Sequence, residues 1–463
     1  MVADSGVAPI VDPLDDAAAH WAARYRDVLL DGLSLSPPSR AATPALHPAL
    51  RWARSGMMSL CGDVDRPPQM CAAPLAAVAD GALAALASIA SPSRFADLDA
   101  AALLAERALL TGLRRAGRQS AGGACRLLTC ADGLIALSLA RDDDWSLLPA
   151  WLEDDVHDWA GVEVALRRRD RVPLVARGRE LGLAVAASEP APQRIAPWCR
   201  IVAGRAWRPL AETVRAPLVV DLSSLWAGPL SSHLLQRAGA RVIKVESVTR
   251  PDGARRGSPA FFDLLNAGKQ SAAFDLSCPT GRAQLRQLLR HADIVIEASR
   301  PRALQQMGID AEALLVEQPG LSWISISGYG RAWPQAQWIG YGDDAAVAAG
   351  ASDLQQRAGG SAIFIGDALA DPLTGLHAAY AAWASHLAGG GRLLELSLVG
   401  VVRHALAFAR PHDDAQLRRR QQRWTARVSA EDIRTATPRQ AVQAAPVLGA
   451  DTAAVMAEFG LPC

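Results

Sequence analysis

The stretch DLSSLWAGPLSSHLLQRAGARVIKVE, residues 221–246, has the pattern of a strand, a Gly-Pro loop, a helix and a second strand. The overlapping PLVVDL at 217–222 is a continuous apolar run, which predicts the first strand. Leucines at helical spacing predict a helix over 229–238, and Gly239 ends it. The loop LWAGP, 225–229, therefore joins the carboxyl end of a strand to the N-terminus of a helix. Open α/β sheets bind anionic ligands at this position.

The alternation of strands and helices continues towards the C-terminus. We predict further strands at 242–245, 293–296, 323–326 and 393–398, and helices at 279–290 and 371–387. This alternation predicts an α/β fold with a doubly wound, mostly parallel, Rossmann-like sheet. An Arg-rich helix is expected after residue 403, and a small helix at 450–459.

The region before this stretch has mainly helical patterns. We predict helices at 17–33, 75–90, 95–115 and 172–181. Two apolar runs within 125–138 are separated by Ala131-Asp132-Gly133, which is a turn signal and predicts a β-hairpin. The hairpin and the helices around it precede the alternating strands and helices of the large sheet.

These changes of pattern divide the chain into segments. A Pro/Ser-rich run, LSLSPPSRAATP, marks the first linker. The expected segments are 1–45 (N-terminal helix and linker), 46–200 (helical and small-domain region), 201–216 (linker), 217–403 (α/β domain) and 404–463 (C-terminal helical tail).

The composition describes a soluble globular protein. The chain has 463 residues, of which 50% are hydrophobic and 21% are charged, and its net charge is +1. Such a balance offers no attraction for nucleic acid or for an anionic membrane. No apolar run reaches the length of a membrane span, and the acidic N-terminus lacks the layout of a secretion signal. We therefore expect a cytoplasmic protein.

The seven cysteines are scattered and form no CxxC pair, so neither a disulfide framework nor a zinc site is expected. Lysine is rare: of 48 lysines and arginines, only Lys244 and Lys269 are lysines. Both lie in one short stretch. A chain so rich in arginine would keep lysine where a compact point charge matters, with chance as the alternative.

Several motifs downstream of the opening stretch occur in one order. They are PDGARRG at 251–257, AFDLSCPTGR at 273–282, ISGYG at 326–330, GDALADPLTGLHAAYAAWA at 366–384 and GGGRLLELSLVG at 389–400. In this order and spacing they resemble the class III CoA-transferases, which include formyl-CoA and carnitine-CoA transferases. The resemblance covers about residues 215–403. It implies a two-domain α/β protein whose smaller α+β domain contains the hairpin at 125–138. It also implies an interlocked homodimer that takes an acyl-CoA and a small carboxylic acid and uses coenzyme A as substrate without a metal.

The resemblance also places the family's catalytic aspartate at Asp371, which stands in the setting D-x-x-x-G-[LM] with Gly375. From the residues themselves, Pro372 makes Asp371 a natural N-cap, and a positive helix end would hold its carboxylate ionised. A capping role alone is the alternative. Asp367 lacks the family spacing and is interpreted as a turn acid. His377 lies on the far side of the predicted helix and is interpreted as a packing residue.

Contacts to coenzyme A are implied by the resemblance at five positions, Leu225, Trp226, Phe274, Ser299 and Met307. The chain departs from the family pattern at several polar contacts. Ser247, Ser277, Ala298 and Gln306 stand where basic residues or asparagine are usual. Arginines nearby could replace part of the lost charge, namely Arg255, Arg256, Arg300 and Arg302.

The N-terminal region resembles a later part of the same family. Residues 46–195 are similar to the middle and end of a family domain, whereas 215–403 resemble its beginning and middle. Matching Gly81 to Gly375 places Ala77 where Asp371 stands. We therefore expect no second active centre, because alanine cannot act as a nucleophile and Asp80 is rotated away. We also expect that the N-terminal half lacks a first strand and a WAGP loop, and that the two halves complete one another.

Two other functions remain open from the sequence. An α-methylacyl-CoA racemase would need a histidine where the chain has YGDD at 341–344. A degenerate CoA-binding or partner subunit would explain the lost contacts.

Overall fold

The computed structural model describes residues 20–33, 46–204, 216–299, 301–434 and 436–462. The predicted linker at the end of 1–45, residues 205–215 of the predicted 201–216 linker, and Arg300 lie outside these ranges. The helix predicted at 17–33 is observed from Trp21, and residues 17–19 are likewise outside.

The N-terminal region is helical, as predicted. Its helices are α1 (Trp21–Gly32), α2 (Pro48–Arg54), α3 (Leu75–Ile89), α4 (Ala100–Leu103) and α5 (Glu106–Thr111). The single helix predicted at 95–115 is wrong, because the chain forms two short helices there. Asp99 caps the first by accepting a hydrogen bond from the amide of Ala102, at 2.9 Å. Gly112, at φ +71°, ends the second.

The predicted hairpin is confirmed and belongs to a small α+β unit. Its elements are β1 (Cys125–Cys130), β2 (Gly133–Ser138), α6 (Leu148–Leu152), α7 (Trp159–Leu166), α8 (Arg171–Glu180) and β3 (Ala184–Ala187). The three strands pair antiparallel in the order β1-β2-β3. Side chains such as Ile135, Trp151 and Val185 form a hydrophobic core of their own. The smaller α+β domain that the resemblance implies is therefore observed, and it has its own core.

The large sheet follows, and its strands alternate with helices. The elements are β4 (Arg200–Gly204), β5 (Leu218–Asp221), α9 (Ala227–Ala238), β6 (Arg241–Ser247), α10 (Pro259–Asn266), β7 (Gln270–Phe274), α11 (Pro279–Leu289), β8 (Ile294–Glu297), α12 (Pro301–Gln306), α13 (Ala311–Glu317), β9 (Ser322–Ser327), α14 (Gly342–Ala348), α15 (Ala351–Arg357), α16 (Ala370–Leu387) and β10 (Arg392–Ser397). The strand order is β4-β10-β9-β8-β5-β6-β7. All neighbours are parallel except β4, which is antiparallel to β10.

The sheet is buried on both faces, so the predicted doubly wound α/β fold is confirmed. Val219 and Ile294 point into the core on one face, together with α3, α9 and α16. Val220 and Val295 point into a second core on the opposite face, with α11 and α13. The strand order reverses between β5 and β8, because β6 and β7 lie on one side of β5 and β8 on the other. Ligands bind at such reversal points in open sheets.

Two predicted segment boundaries fall inside elements of the structure. Residues 200–204, which include the start of the predicted linker, form the edge strand β4 through pairing with β10, a contact distant in sequence. The boundary at residue 403 falls inside α17 (Leu398–Ala407), which is followed by α18 (Asp414–Arg427) and α19 (Thr452–Phe459). Helix α19 is integrated into the second core through the fully buried Val455.

Helix α16 is the centre of the larger core. It is 18 residues long and packs against α9, α17, α3 and the sheet. Helix α3 of the N-terminal region thus shares one continuous core with the α/β domain. Within the described ranges, none of the helices combines the length and apolar character that a membrane span requires.

Each half of the chain has a pair of helices that approach closely at a glycine, Gly81 in the first half and Gly375 in the second. A Cβ on Gly81 in α3 would lie 2.6 Å from the carbonyl oxygen of Ala22 in α1. A Cβ on Gly375 in α16 would lie 2.8 Å from the carbonyl oxygen of Ala227 in α9. Helix α1 therefore takes beside α3 the place that α9 takes beside α16.

Candidate active site

Asp371 lies in the first turn of α16, where the N-termini of α9 and α14 also converge. The helix begins at Ala370, with Leu369 in the capping position, so the prediction that Asp371 is the N-cap is wrong. Pro372 is accommodated in the first turn, where its missing N–H costs nothing. The amide of Asp371 instead donates to the carbonyl oxygen of Ala368, at 2.9 Å. The backbone at Ala368 adopts φ +45°, which bends the chain sharply into the helix.

The carboxylate of Asp371 accepts hydrogen bonds from the backbone amides of Ala227 and Gly342, one from each neighbouring helix. Burial nevertheless outweighs these hydrogen bonds and raises the pKa of Asp371 to about 6. The expected effect of the helix end, which holds the carboxylate ionised, is therefore opposed by burial. A pKa of about 6 leaves roughly nine in ten of these groups ionised at pH 7. The result is an anionic side chain that is more basic than an ordinary aspartate.

Further carboxylates surround Asp371. Asp343 accepts a hydrogen bond from the amide of Ala368 at 2.8 Å, and burial together with Asp367 raises its pKa to about 7. Asp344 accepts hydrogen bonds from the amide of Tyr341 at 2.8 Å and the hydroxyl of Tyr329 at 3.0 Å. Burial raises the pKa of Asp344 to about 7 as well.

Asp367 is more than the turn acid predicted from the sequence, because it is fully buried and paired with an arginine. Arg107 of α5 donates from Nε and Nη2 to the two oxygens of Asp367, at 2.8 and 2.5 Å. The guanidinium also lies 5.3 Å from the ring centroid of Trp226. Its charge lowers the pKa of Asp371 and of Asp343, against the effect of burial. No local sequence pattern indicates Arg107, because its partner is 260 residues away.

His377 behaves as the packing residue that the sequence predicted. It is fully buried, and its ring nitrogens lie 2.7 Å from the hydroxyl of Tyr25 and 2.7 Å from the carbonyl oxygen of Leu373. Burial lowers the pKa of His377 to about 3, so the ring is neutral. It cannot serve Asp371 as a cationic partner.

The predicted coenzyme A contacts lie mostly at one edge of the sheet. Leu225 and Trp226 follow β5, Phe274 ends β7 and Ser299 follows β8, so these four lie at the carboxyl edge of the parallel strands. Met307 follows α12 and packs against the second core. The structure therefore brings together four of the five positions.

The side chains at the five predicted coenzyme A contacts differ in their exposure to solvent. Leu225 is 43% exposed, whereas Trp226 and Phe274 are each only 2% exposed. Trp226 packs edge-to-face on Phe261, with ring centroids 5.1 Å apart. Ser299 donates its hydroxyl to Glu297, at 3.0 Å. Burial of the Trp226 and Phe274 rings in the cores is favourable, and contact of the five positions with coenzyme A stays a prediction.

The arginines that could replace the lost charge differ in whether they are already paired. Arg255 forms a bidentate ion pair with Glu246, at 2.6 and 2.9 Å, and its guanidinium lies over the ring of Phe262. Arg256 and Arg302 are exposed. Arg255 therefore holds β6 to α10 and is not a free phosphate ligand.

The two buried lysines, Lys244 and Lys269, support the WAGP loop through hydrogen bonds and ion pairs. Lys269 donates from Nζ to Ser232 Oγ at 2.7 Å and contacts Asp221 at 3.3 Å. Lys244 contacts Asp252 at 2.9 Å, and Asp252 in turn accepts a hydrogen bond from the amide of Leu225, at 2.9 Å. Both ammonium groups are buried. This agrees with the interpretation that lysine is kept where a compact charge is needed.

The N-terminal region that the structure describes has no available carboxylate at the positions that match the site around Asp371. Ala77, at the position matched to Asp371, is buried at 5% exposure. Asp80 forms a bidentate pair with Arg51, at 2.7 Å for both contacts. Asp80 is thus committed to an ion pair.

Known proteins resemble part of the chain. Residues 217–445 match the model of CoA-transferase family III. The succinate–glutarate CoA-transferase of Agrobacterium fabrum is 32% identical over 206 residues, which cover 41% of this chain and 52% of that protein. The succinyl-CoA–D-citramalate CoA-transferase of Chloroflexus aurantiacus is 31% identical over 194 residues, covering 39% and 48%. A CAIB/BAIF family protein from Brucella suis is 32% identical, with a TM-score of 0.38 over 41% of this chain and 54% of that one. The chain thus spans about half the length of the curated relatives it matches.

Proposed function

Residues 217–445 belong to CoA-transferase family III, and on this premise we propose that the protein moves CoA from an acyl-CoA donor to a carboxylic acid acceptor. Asp371 is the proposed nucleophile. The observation that carries the proposal is its carboxylate, which lies between the amides of Ala227 and Gly342 and has its pKa raised to about 6. A raised pKa makes the oxygen a better nucleophile, while most of the group stays ionised at neutral pH.

The proposed reaction begins when a carboxylate oxygen of Asp371 attacks the thioester carbonyl of the donor. The C–S bond breaks, which gives a mixed anhydride and the CoA thiolate. The thiolate attacks the Asp371 carbonyl of the anhydride, which releases the donor acid and leaves an aspartyl-CoA thioester. The acceptor carboxylate then attacks this thioester and expels the thiolate. Attack of the thiolate on the acceptor carbonyl gives the new acyl-CoA and restores the Asp371 carboxylate.

Backbone amides support each tetrahedral intermediate in this scheme. The N–H groups of Ala227 and Gly342 stand at helix N-termini and point at the carboxyl group of Asp371. An oxyanion that forms on the Asp371 carbonyl would accept hydrogen bonds from the same two groups. Fixed donors of this kind stabilise developing charge without having to reorganise.

The geometry favours transfer over racemisation. A racemase would need a base beside the α-carbon of the acyl group. His377, the histidine closest in sequence to Asp371, is neutral and bound to Tyr25 and Leu373. The segment 341–344 contributes Asp343 and Asp344 to the cluster and no histidine. Among the described residues, no group of three or more His, Cys, Asp or Glu is placed to hold a metal ion.

We propose short acids as substrates, starting with succinyl-CoA as donor and glutarate as acceptor, because the names of the relatives contain these acids. The expected homodimer and cytoplasmic location stay predictions. The alternative of a CoA-binding partner without activity rests on the lost contacts at Ser247, Ser277 and Gln306.

Trapping the acyl-enzyme tests the proposal. The protein would be incubated with succinyl-CoA, quenched with hydroxylamine and analysed by peptide mass spectrometry. We expect modification at Asp371, no modification in Asp371→Ala, and normal modification in the control Asp80→Asn. Modification of another carboxylate, or full turnover by Asp371→Ala, would refute Asp371 as the nucleophile. Binding of CoA in calorimetry without any modification would support the inactive partner instead.

A further inference from the structure

Arg107, on helix α5 of the N-terminal region, places its positive charge beside the turn that leads into α16. Arg107 grips both oxygens of Asp367, at 2.8 and 2.5 Å. Asp367 is fully buried, whereas the arginine side chain keeps 32% of its surface exposed. Arg107 lies outside residues 217–445, the segment that matches the family.

We infer that Arg107 is a positioning residue for Asp371, so that the N-terminal region is an integral part of the active site. The inference rests on the proposed function and adds a residue that the family match does not reach. It has a geometric and an electrostatic component, which separate experiments can measure.

The geometric component is a clamp on the turn before α16. Asp367 and Asp371 stand four residues apart on one continuous segment. Arg107 holds that segment at Asp367, while Asp343 holds it by accepting the amide of Ala368, at 2.8 Å. Ala368 itself adopts φ +45°, a backbone conformation that requires support from its surroundings. Loss of the arginine would free one side of this turn.

The electrostatic component is the balance of charge around Asp371. Helix α14 contributes Asp343 and Asp344, the turn before α16 contributes Asp367, and the hydroxyl of Tyr329 donates to Asp344. From α9, the group that faces Asp371 is the amide of Ala227. Arg107 is the cation whose charge acts on Asp371, and its place near the ring of Trp226 limits its movement. Without it, several buried carboxylates would repel one another.

Substitutions of Arg107 and of Asp367 should shift the pKa of Asp371 in opposite directions. This distinguishes the proposed role from that of a merely structural ion pair. Removal of the cation in Arg107→Gln raises the pKa of Asp371, because an attractive charge is lost. Removal of the anion in Asp367→Asn lowers it, because a repulsive charge is lost. A pair that only stabilised the fold would give both variants the same defect.

The test is a titration of the Asp371 carboxyl carbon by NMR, in full-length protein labelled with carbon-13 at aspartate Cγ. The signal is assigned from its absence in Asp371→Asn. We expect the pKa to rise by about one unit in Arg107→Gln and to fall in Asp367→Asn. Arg107→Lys should shift it less than Arg107→Gln. The matched control is Arg439→Gln, which breaks a similar bidentate pair with Glu106, the neighbour of Arg107, at 2.7 Å for both contacts. It should leave the pKa of Asp371 unchanged.

The acylation rate with succinyl-CoA measures the geometric component. At pH 6 a rise of one unit would slow Arg107→Gln about fivefold through loss of the ionised form. At pH 9 the carboxylate is ionised in every variant, and a remaining loss of about tenfold would report misplacement. Arg107→Lys should recover part of the rate at both pH values.

Equal shifts of the same sign in Arg107→Gln and Asp367→Asn, or no shift in either, would overturn the inference. If Arg107→Gln does not fold, Asp367→Asn and Arg107→Lys decide it, since a fall in the pKa of Asp371 in Asp367→Asn supports it and an unchanged pKa refutes it. The titration needs no turnover. Opposite shifts in a protein that is never acylated would therefore reject the proposed transferase and keep Arg107 as the partner of Asp371.

Discussion

Gly342 leaves the space that the carboxylate of Asp371 fills: a Cβ at this glycine would lie 2.1 Å from Oδ2 of the aspartate. The same Cβ would lie 2.5 Å from the carbonyl oxygen of Ala368. Neither distance is possible for real atoms, so any side chain at residue 342 must displace the carboxylate or the start of α14. The closeness of the two residues also lets the amide of Gly342 donate to Asp371.

We predict that Gly342→Ala lowers the acylation rate by about a hundredfold or more, because one oxyanion donor and the position of the nucleophile are both disturbed. The rate is measured by rapid quench with succinyl-CoA. The control is Gly320→Ala, since a Cβ there would meet no atom within 4 Å. A rate near that of the wild type in Gly342→Ala would show that Asp371 does not act from the position seen here.

The pH dependence of acylation reports the ionisation of Asp371. Only the carboxylate form can attack, and burial raises its pKa to about 6. The rate should therefore rise with pH and reach half of its plateau near pH 6, rather than near the pH 4 of an exposed aspartate. Single-turnover rates between pH 4.5 and 8.5 measure this. A half-maximum near pH 4 would mean that Asp371 is solvated or is not the nucleophile.

Asp343 should destabilise the fold at high pH. Its pKa is raised by burial to about 7, so the folded protein binds its proton more tightly than the unfolded chain does. Stability from this group is full below about pH 4 and is lost as the pH rises towards 7. Asp343→Asn keeps an oxygen for the amide of Ala368, and we expect it to raise the free energy of unfolding at pH 8 by on the order of 1 kcal/mol.

Thermal denaturation at pH 5 and pH 8 checks the sign. The gain of Asp343→Asn should be larger at pH 8 than at pH 5. Asp132→Asn is a control of opposite sign, because hydrogen bonds from Arg171 lower the pKa of Asp132. A loss of stability in Asp343→Asn at pH 8 would contradict the buried, repelled state of this carboxylate.

The parts of the fold that sequence patterns predict are those with local signals. The apolar runs of β5, β8 and β9 and the glycines that end helices gave the parallel sheet. Strand β4 had no such signal, because its assignment depends on pairing with β10, nearly 200 residues away in the sequence. Trp226 and Phe274 were expected to face a ligand, yet apolar burial places their rings in the cores.

In the candidate site, too, sequence patterns indicate only the residues that have a local signal. A short motif with Gly375 predicts Asp371, whereas no motif indicates Arg107, which is one of many arginines. Its role follows from a pairing that exists only after the two halves of the chain have packed together. The raised pKa values of Asp343 and Asp344 likewise depend on burial by distant segments, which no local pattern records.

The buried lysine Lys269 supports the WAGP loop, and we predict that Lys269→Met costs about 3–5 kcal/mol of stability. Its removal would leave the fully buried Asp221 without the ammonium that contacts it at 3.3 Å, although the charge of Lys244 would still act on it. Lys269→Arg should not preserve stability, since the guanidinium is larger than the buried ammonium, which is bonded to Ser232 and Asn266. Urea denaturation measures both variants. Recovery in the double variant Asp221→Asn, Lys269→Met would confirm the pair, whereas a small loss in Lys269→Met alone would refute it.

The two halves of the chain should not fold separately. Helix α3 of the first half packs against α16 of the second within one core. Strand β4 also belongs to the first half, yet it forms an edge of the sheet in the second by pairing with β10. A cut between residues 205 and 206 would therefore expose apolar surface on α3, α16 and β10 at once.

Fragments 1–205 and 206–463, expressed alone, are expected to be aggregated or to lack a cooperative thermal transition in circular dichroism. Co-expressed, they should associate into a 1:1 complex that regains the transition, because the contacts of α3 and β4 are then available again. Light scattering gives the mass of the complex and that of the intact chain. If each fragment were a monomer that melts cooperatively by itself, the halves would be independent domains, and Arg107 could not be an obligatory part of the site around Asp371.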